Sequence, residues 1–283
     1  MKRSIALIMA VMMLAISSFA LAGCGSGSAG VKVIDIPLTE EEYAFGVDKN
    51  QPELLEEVNK FIAQIKSDGT FDKILSNYFG EGTPAPITSA TLDESKDQLV
   101  VATNAGFEPF EYTVGDQFAG IDMEIAALLA KHLGKELVIS NMDFDAVCLS
   151  VGQGKCDIAM AGLTIKEDRK EYVTFSDKYY DAAQKIIVKA SEKAFDKCET
   201  AADVEAILSG LSADTKIGVQ NGTTGQFYVE GDPDWGFDGF KAECVGYKSG
   251  SLAVQDMMNG NIKYVIIDEA PAQFIASAIN AMN

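Results

Sequence analysis

Val100-Val101-Ala102-Thr103-Asn104-Ala105-Gly106-Phe107-Glu108-Pro109-Phe110-Glu111 is the stretch on which the fold turns. Leu99 to Ala102 is a short β-rich run that breaks at Thr103 into a polar loop, so it reads as a strand delivering a loop to one edge of a sheet. Downstream the same alternation repeats. A helix over Asp122 to His132 stops at Gly134, a strand follows at Leu137 to Ser140, then a helix from about Phe144 to Gly152 and a strand at Asp157 to Met160. Lys185 to Lys189 opens a further region. It holds a helix near Ala201 to Ser209, a strand at Lys216 to Val219, helices near Gly225 to Tyr228 and at Ser251 to Asn259, and a strand at Tyr264 to Ile267. Strands alternating with amphipathic helices imply an α/β fold with largely parallel sheets. In such sheets ligands sit where strand carboxyl ends meet helix amino ends, so the loops starting at Thr103, Ala161, Gln220 and Asp268 are the ones to inspect.

The amino terminus carries a different signal. Lys2 and Arg3 precede an apolar run, Ile5 to Leu21, too short and too one-sided for an ordinary membrane span, and it reads as an export signal. The run ends in Leu21-Ala22-Gly23-Cys24, which resembles a bacterial lipobox, and Gly25 to Gly30 supplies a flexible tether. Residues 1–30 are therefore expected to be leader and tether, with Cys24 lipidated and the protein held on the outer face of the cell membrane by that anchor alone. About 260 residues remain, enough for one large domain or two lobes with sizeable cores.

The net charge of −19 falls to about −21 once Lys2 and Arg3 are removed, which argues against nucleic acid or an anionic membrane surface as a partner. Cys148, Cys156, Cys198 and Cys244 form no C-x-x-C pair and have only His132 to join them, so neither a metal site nor a cofactor is expected. Export permits disulfides among these four cysteines, but their apolar neighbours suit small buried hydrophobes equally well, and the pairing stays open. His132 falls in the last turn of its helix, an exposed place where a cation suits the negative helix end, and no second histidine exists for a catalytic triad.

Four stretches in order carry a resemblance. They are the quoted loop; Gly120-Ile121-Asp122-Met123-Glu124-Ile125; Ala161-Gly162-Leu163-Thr164-Ile165 with Arg169; and Phe175-Ser176-Asp177-Lys178-Tyr179-Tyr180. The series resembles the successive signatures of family 3 bacterial solute-binding proteins, the polar amino acid receptors of ABC importers, and continues at family spacing to Asp268. The resemblance implies a two-lobed periplasmic-binding-protein fold of type II, a monomer that hands its ligand to a membrane permease without transforming it.

The order of segments departs from that family. Its members continue beyond the position matching Asp268 through a hinge and closing helices, whereas here the matching words stand at the other end. Thr39-Glu40-Glu41-Glu42-Tyr43-Ala44-Phe45-Gly46-Val47 resembles the second hinge and returning strand, and Glu53 to Phe79 resembles the terminal helices. A circular permutant is the expected architecture, with 44–82 and 99–178 as lobe 1, 184–283 and 31–39 as lobe 2, hinges at 40–43 and 179–183, and 83–98 as a linker joining the ancestral ends.

A zwitterion needs a cation, an anion and a wall for its side chain. Arg169 can donate two parallel hydrogen bonds to the α-carboxylate, helped by a donor from Thr164 and by close approach of the chain at Gly162, flanked by Ala161 and Leu163. Asp268, at a strand end, is the expected partner of the ammonium, and Gly222-Thr223-Thr224-Gly225 opens a helix that can meet the carboxylate from the second lobe. Phe107 and Phe144 match the family's aromatic walls. Asn104 stands where resembling proteins often carry an aspartate, which disfavours lysine and arginine, and Gln220 stands where glutamine receptors carry a lysine. The expected ligand is a neutral polar amino acid. Two rivals remain: an enzyme on the same fold, such as a dehydratase, with Glu108 or Glu111 as the acid, and a sensor module.

Overall fold

The computed structural model describes residues 30–282, so the expected export signal and Cys24 lie outside the described residues. The chain begins with three short strands, β1 (Val31–Ile34), β2 (Glu41–Tyr43) and β3 (Gly46–Asp48), followed by helices α1 (Pro52–Ser67) and α2 (Thr70–Phe79). Pro52 presets the first turn of α1, and Val58, Phe61, Ile62 and Ile65 recur at helical spacing, so one stripe is buried and the charged residues face water. Gly69, at φ +81°, takes the left-handed turn that lets α2 start at once and bury Phe71, Ile74 and Tyr78.

Strand β4 (Gln98–Thr103) opens the next section. A small meander follows, β5 (Gly106–Phe107), β6 (Glu111–Val114) and β7 (Gln117–Ala119), and then α3 (Ile121–Leu133), β8 (Glu136–Asn141), α4 (Phe144–Gly152) and β9 (Ile158–Ala159). A one-turn 3-10 helix, Asp168–Glu171, leads into β10 (Val173–Phe175). The chain then crosses on β11 (Tyr180–Ala182) to β12 (Gln184–Lys189), α5 (Ala201–Ser209), β13 (Lys216–Gln220), α6 (Thr224–Glu230), β14 (Glu243–Tyr247), α7 (Gly250–Asn259), β15 (Tyr264–Asp268) and α8 (Glu269–Ala281).

Two five-stranded sheets result, β10-β3-β9-β4-β8 and β1-β12-β15-β13-β14, with β2 and β11 paired antiparallel as a separate two-stranded ribbon. Each sheet is parallel toward one edge, β9-β4-β8 in the first and β15-β13-β14 in the second, and antiparallel at the other edge. Residues 31–48 are woven into both sheets. β1 lies antiparallel along β12 at the rim of the second sheet, and β3 fills the place between β10 and β9 in the first.

Two features differ from the sequence reading. The stretch read as a linker over 83–98 is docked: Ile87 exchanges backbone hydrogen bonds with Phe118 (2.6 and 2.9 Å), Ala90 N–H donates to Leu137 O, Ile139 N–H donates to the Ser89 hydroxyl, and Gln98 already belongs to β4. Single bridges made by backbone and one hydroxyl leave no periodicity to read. The meander went unread for a related reason, since strands of two to four residues are set by turns such as Gly115 at φ +63°, and β14 is an edge strand with no fully buried residue to mark it. Helix α8 starts at Glu269, two residues ahead of Pro271, which is tolerated because amides of the first turn have no partner within the helix. The four cysteines from Cys148 onward are all unpaired. His132 is exposed in the last turn of α3, closed by Gly134 in the left-handed region, as its pattern predicts.

Candidate functional site

The carboxyl ends of β4, β9, β13 and β15 converge where the two sheets face each other. From the first sheet comes Arg169, held by the 3-10 turn and almost fully buried. Its Nη1 donates to Thr164 O at 2.6 Å and its Nη2 crosses to Gly222 O at 2.9 Å, while the guanidinium lies 5.2 Å from the Phe144 ring centroid. Two of the five guanidinium donors are thus engaged by the protein. A cavity of about 310 Å³ opens beside it, lined by Phe144, Cys148, Leu163, Arg169, Gly222 and Phe227.

Gly162 holds φ +51°, and a Cβ there would come within 2.8 Å of the Phe107 ring, so glycine is what lets that aromatic wall close on the loop. Its amide donates to Asp122, which also accepts from Tyr179 OH at 2.6 Å. Burial drives the Asp122 carboxyl up to about 7 despite these two bonds, which pull it down. Ala161 and Leu163 are buried on either side, and the Leu163 carbonyl accepts from Ala44 N–H of the returning strand.

The floor is built where β2 and β11 cross. Asp268 is buried and accepts from Tyr43 OH at 2.7 Å and Gln184 Nε2 at 2.8 Å. Gln184 Nε2 also donates to Glu41 at 3.0 Å, and the other Glu41 oxygen accepts from the Thr164 hydroxyl at 2.8 Å. Burial first, and the nearby Glu41 carboxylate second, raise Asp268 to about 7. Glu41, Tyr43 and Gln184 are members of the site that the sequence reading did not name. The alternation of β2, buried-exposed-buried, places Glu41 and Tyr43 on one inward face, and that period was the available signal.

From the second sheet, Gln220 Nε2 donates to Asn104 Oδ1 at 3.0 Å across the cleft, and Asn104 Nδ2 donates to Met142 O. The Thr223 hydroxyl donates back to Gln220 O, whereas the Thr224 hydroxyl has no partner. The expected site residues from both sheets therefore do converge: Asn104, Phe107, Phe144, the Ala161–Thr164 loop, Arg169, Gln220, Thr223, Thr224 and Asp268. The Thr164 hydroxyl differs from expectation in being committed to Glu41. Of the two carboxyls weighed as an acid, Glu111 is fully enclosed with both oxygens unpaired, and burial followed by Asp122 and Asp268 pushes it well above the carboxylate range. Glu108 sits exposed at the rim.

The model of the bacterial extracellular solute-binding proteins, family 3, matches residues 4–81 and 99–268. The arginine-binding extracellular protein ArtP of Bacillus subtilis (strain 168) is 37% identical over 97 residues, 34% of this chain and 38% of that protein, so the chain spans little more than a third of this relative. Among solved structures, the ancestral amino acid-binding protein AncCDT-1, a precursor of cyclohexadienyl dehydratase, has TM-score 0.55 and 30% identity over 64% of this chain and 74% of that one. An ancestral arginine-binding protein bound to glutamine has TM-score 0.53 and 30% identity over 65% of this chain and 74% of that one. No helix among the described residues is long and apolar enough to cross a membrane.

Proposed function

Because the chain belongs to the bacterial extracellular solute-binding proteins of family 3, we propose that it captures one α-amino acid between its lobes and presents it to the membrane permease of an ABC importer. Lipidation at Cys24 would keep the protein on the outer face of the cell membrane, working as a monomer with a small-molecule ligand. The observation that carries the reading is where unpartnered buried polar atoms fall. Among the described residues they are Thr103 Oγ1, both oxygens of the enclosed Glu111, Gln184 Oε1, Gln220 Oε1 and Thr224 Oγ1, and apart from Glu111 these stand at the strand ends and the helix start that meet at the cleft. Buried polar groups are nearly always paired, so a cluster left unpaired suits a polar ligand.

In this reading Arg169 holds the α-carboxylate with its remaining N–H donors, and the Thr224 hydroxyl approaches from the facing lobe. Asp268 holds the ammonium, with Glu41 behind it. Phe107 and Phe144 flank the side chain. Asn104 and Gln220 meet its far end with amides, which favours a neutral polar side chain; ArtP is named for arginine, and an ancestral arginine-binding protein is described bound to glutamine. Binding rather than turnover is favoured because the strongest acid candidate, Glu111, is fully enclosed.

The pH dependence of binding tests the role of Asp268. Its pKa in the ligand-free protein is raised, so the stability it lends is complete below about 4 and is lost as pH rises through about 7. An incoming ammonium selects the ionised form, so binding expels a proton and affinity falls as pH drops through 7, by up to about tenfold per unit. Calorimetry at pH 5.5 and pH 8 in buffers of different ionisation enthalpy should show weaker binding at the lower pH and proton release. Affinity independent of pH would remove Asp268 from the ammonium site.

The circular order is part of the same proposal. Val31 N–H donates to Asn280 Oδ1 at 3.0 Å and Asn280 Nδ2 donates to Val31 O at 2.9 Å, so the start of β1 and the end of α8 are neighbours that a short connection could join. The family model meets the chain in two stretches, on either side of residues 82–98, the segment this reading takes as the join of the ancestral ends.

A further inference from the structure

Three residues before Arg169, Lys166 carries a charge that the ligand reading does not use. It belongs to the first lobe, yet its ammonium is enclosed by the second. Nζ lies 2.8 Å from Asp232 Oδ2 and 4.4 Å from the Phe227 ring centroid, with Asp168 of its own turn at 2.9 Å. The Lys166 side chain is 4% exposed and that of Asp232 11%, whereas Asp168 is half exposed at 49%. A further ion pair that joins the lobes beside the cleft, Lys248–Asp143, is 71% and 59% exposed and contributes little.

Asp232 is held ready for this contact. It exchanges backbone bonds with Phe237, Trp235 N–H donates to its carbonyl, and Asp234 N–H donates to its Oδ1 at 3.0 Å. Rings brace the turn: Tyr228 contacts both Phe237 and Phe240, and Trp235 contacts Phe237. The 231–240 excursion thus presents one carboxylate to the facing lobe at little cost in side-chain freedom. Burial alone would lower the pKa of Lys166, but its hydrogen bonds to Asp232 and Asp168 outweigh it and raise the value, so the charge is kept when the lobes meet.

We propose that Lys166 and Asp232 form an interlobe latch which lengthens the lifetime of the bound ligand without touching it. The latch shares its elements with the cleft: Thr164, Lys166 and Arg169 lie within six residues of the first lobe, and in the second Gly222, Thr224 and Phe227 stand at the start of α6 with Asp232 just past its end. Closing the ligand site and closing the latch are therefore one movement. When the lobes part, Lys166 loses Asp232 and Phe227 but keeps Asp168 and gains water, so the open form carries no stranded charge. The pair then acts on the closed form, and hence on the rate of opening rather than on the rate of encounter.

This inference rests on the amino-acid-binding reading, and its test separates the two. Lys166→Met keeps the apolar stem, and Asp232→Asn serves if the methionine variant fails to melt cooperatively. Stopped-flow dissociation would be measured with L-asparagine, L-serine, L-threonine, L-glutamine and L-arginine in turn, alongside small-angle scattering of the ligand-free chains. Each single variant should dissociate roughly 10- to 100-fold faster with association changed less than about threefold, and the double variant should be no faster than the faster single one. In scattering, the single variants should have a larger radius of gyration than the parent. Faster dissociation or a more open ligand-free form, non-additive in the double variant, supports the latch. The latch is overturned if neither readout moves, or if the two substitutions act additively. Failure of every amino acid to bind would overturn the function proposed above, and scattering would then decide the latch alone.

Discussion

A chain that starts at Leu99 and lacks residues 31–79 is expected to be insoluble or molten. The missing piece includes β3, which sits inside the first sheet with β10 on one side and β9 on the other, so its loss exposes two strand edges at once. It also includes the buried faces of α1 and α2, Val58, Phe61, Ile62, Ile65, Phe71, Ile74 and Tyr78, which pack in one core with Leu99, Ile121 and Leu129. Burial of each such side chain is worth roughly 1.5 to 3 kcal/mol, against a total stability of about 5 to 15 kcal/mol. The second lobe suffers as well, because Ile34 and Leu38 belong to its core and Glu41 to the floor of the cleft. A rearranged chain is the informative partner. Begun at Leu99, run to Asn283 and continued through a short linker from Val31 to Gly80, it should melt cooperatively and bind as the parent does. Solubility, a cooperative melt and binding by residues 99–283 alone, with failure of the rearranged chain, would make the amino-terminal segment a separate module.

Arg169→Ala should cost roughly 30-fold to several thousand-fold in dissociation constant, the equivalent of about 2 to 5 kcal/mol for removing one partner of a desolvated charge pair. The fold should survive, since the guanidinium is held by two carbonyls and one ring, and among the described residues no carboxylate pairs with it. Arg169→Lys should fall between, because an ammonium cannot reproduce two parallel donors. Calorimetry on the folded variants reads this directly. Near-parental binding by Arg169→Ala would take the residue out of the site.

How far the molecule could be read from its residues depended on whether a signal was periodic or local. The helices at Ile121–Leu133, Ala201–Ser209 and Gly250–Asn259 and the strands ending at Thr103, Gln220 and Asp268 were legible because each carries a run long enough to show a period or a sharp boundary. Asp268 drew attention because it stands where such a boundary falls, whereas Arg169 was singled out only through the family resemblance of the Gly162-Leu163-Thr164 loop that precedes it. Glu41 was not, since three successive glutamates look like a solvated run until the strand's two-residue period separates inward Glu41 from outward Glu42. Gln184 opens a strand whose apolar interior drew the reading past it. The docking of 83–97 rests on single backbone bridges, and the pairing of Lys166 with Asp232 joins residues distant in the chain through a lobe arrangement that no local pattern encodes.

The most direct test of the central claim is calorimetric titration of the unmodified protein with single α-amino acids, each set beside its analogue lacking the carboxylate and its analogue lacking the amine. The account predicts stoichiometric binding of at least one α-amino acid with a neutral polar side chain, recovery of that ligand chemically unchanged, and loss of binding for both analogues, since Arg169 and Asp268 would each lose their partner. Equal binding of an analogue that lacks either group, or conversion of the ligand during incubation, would contradict it.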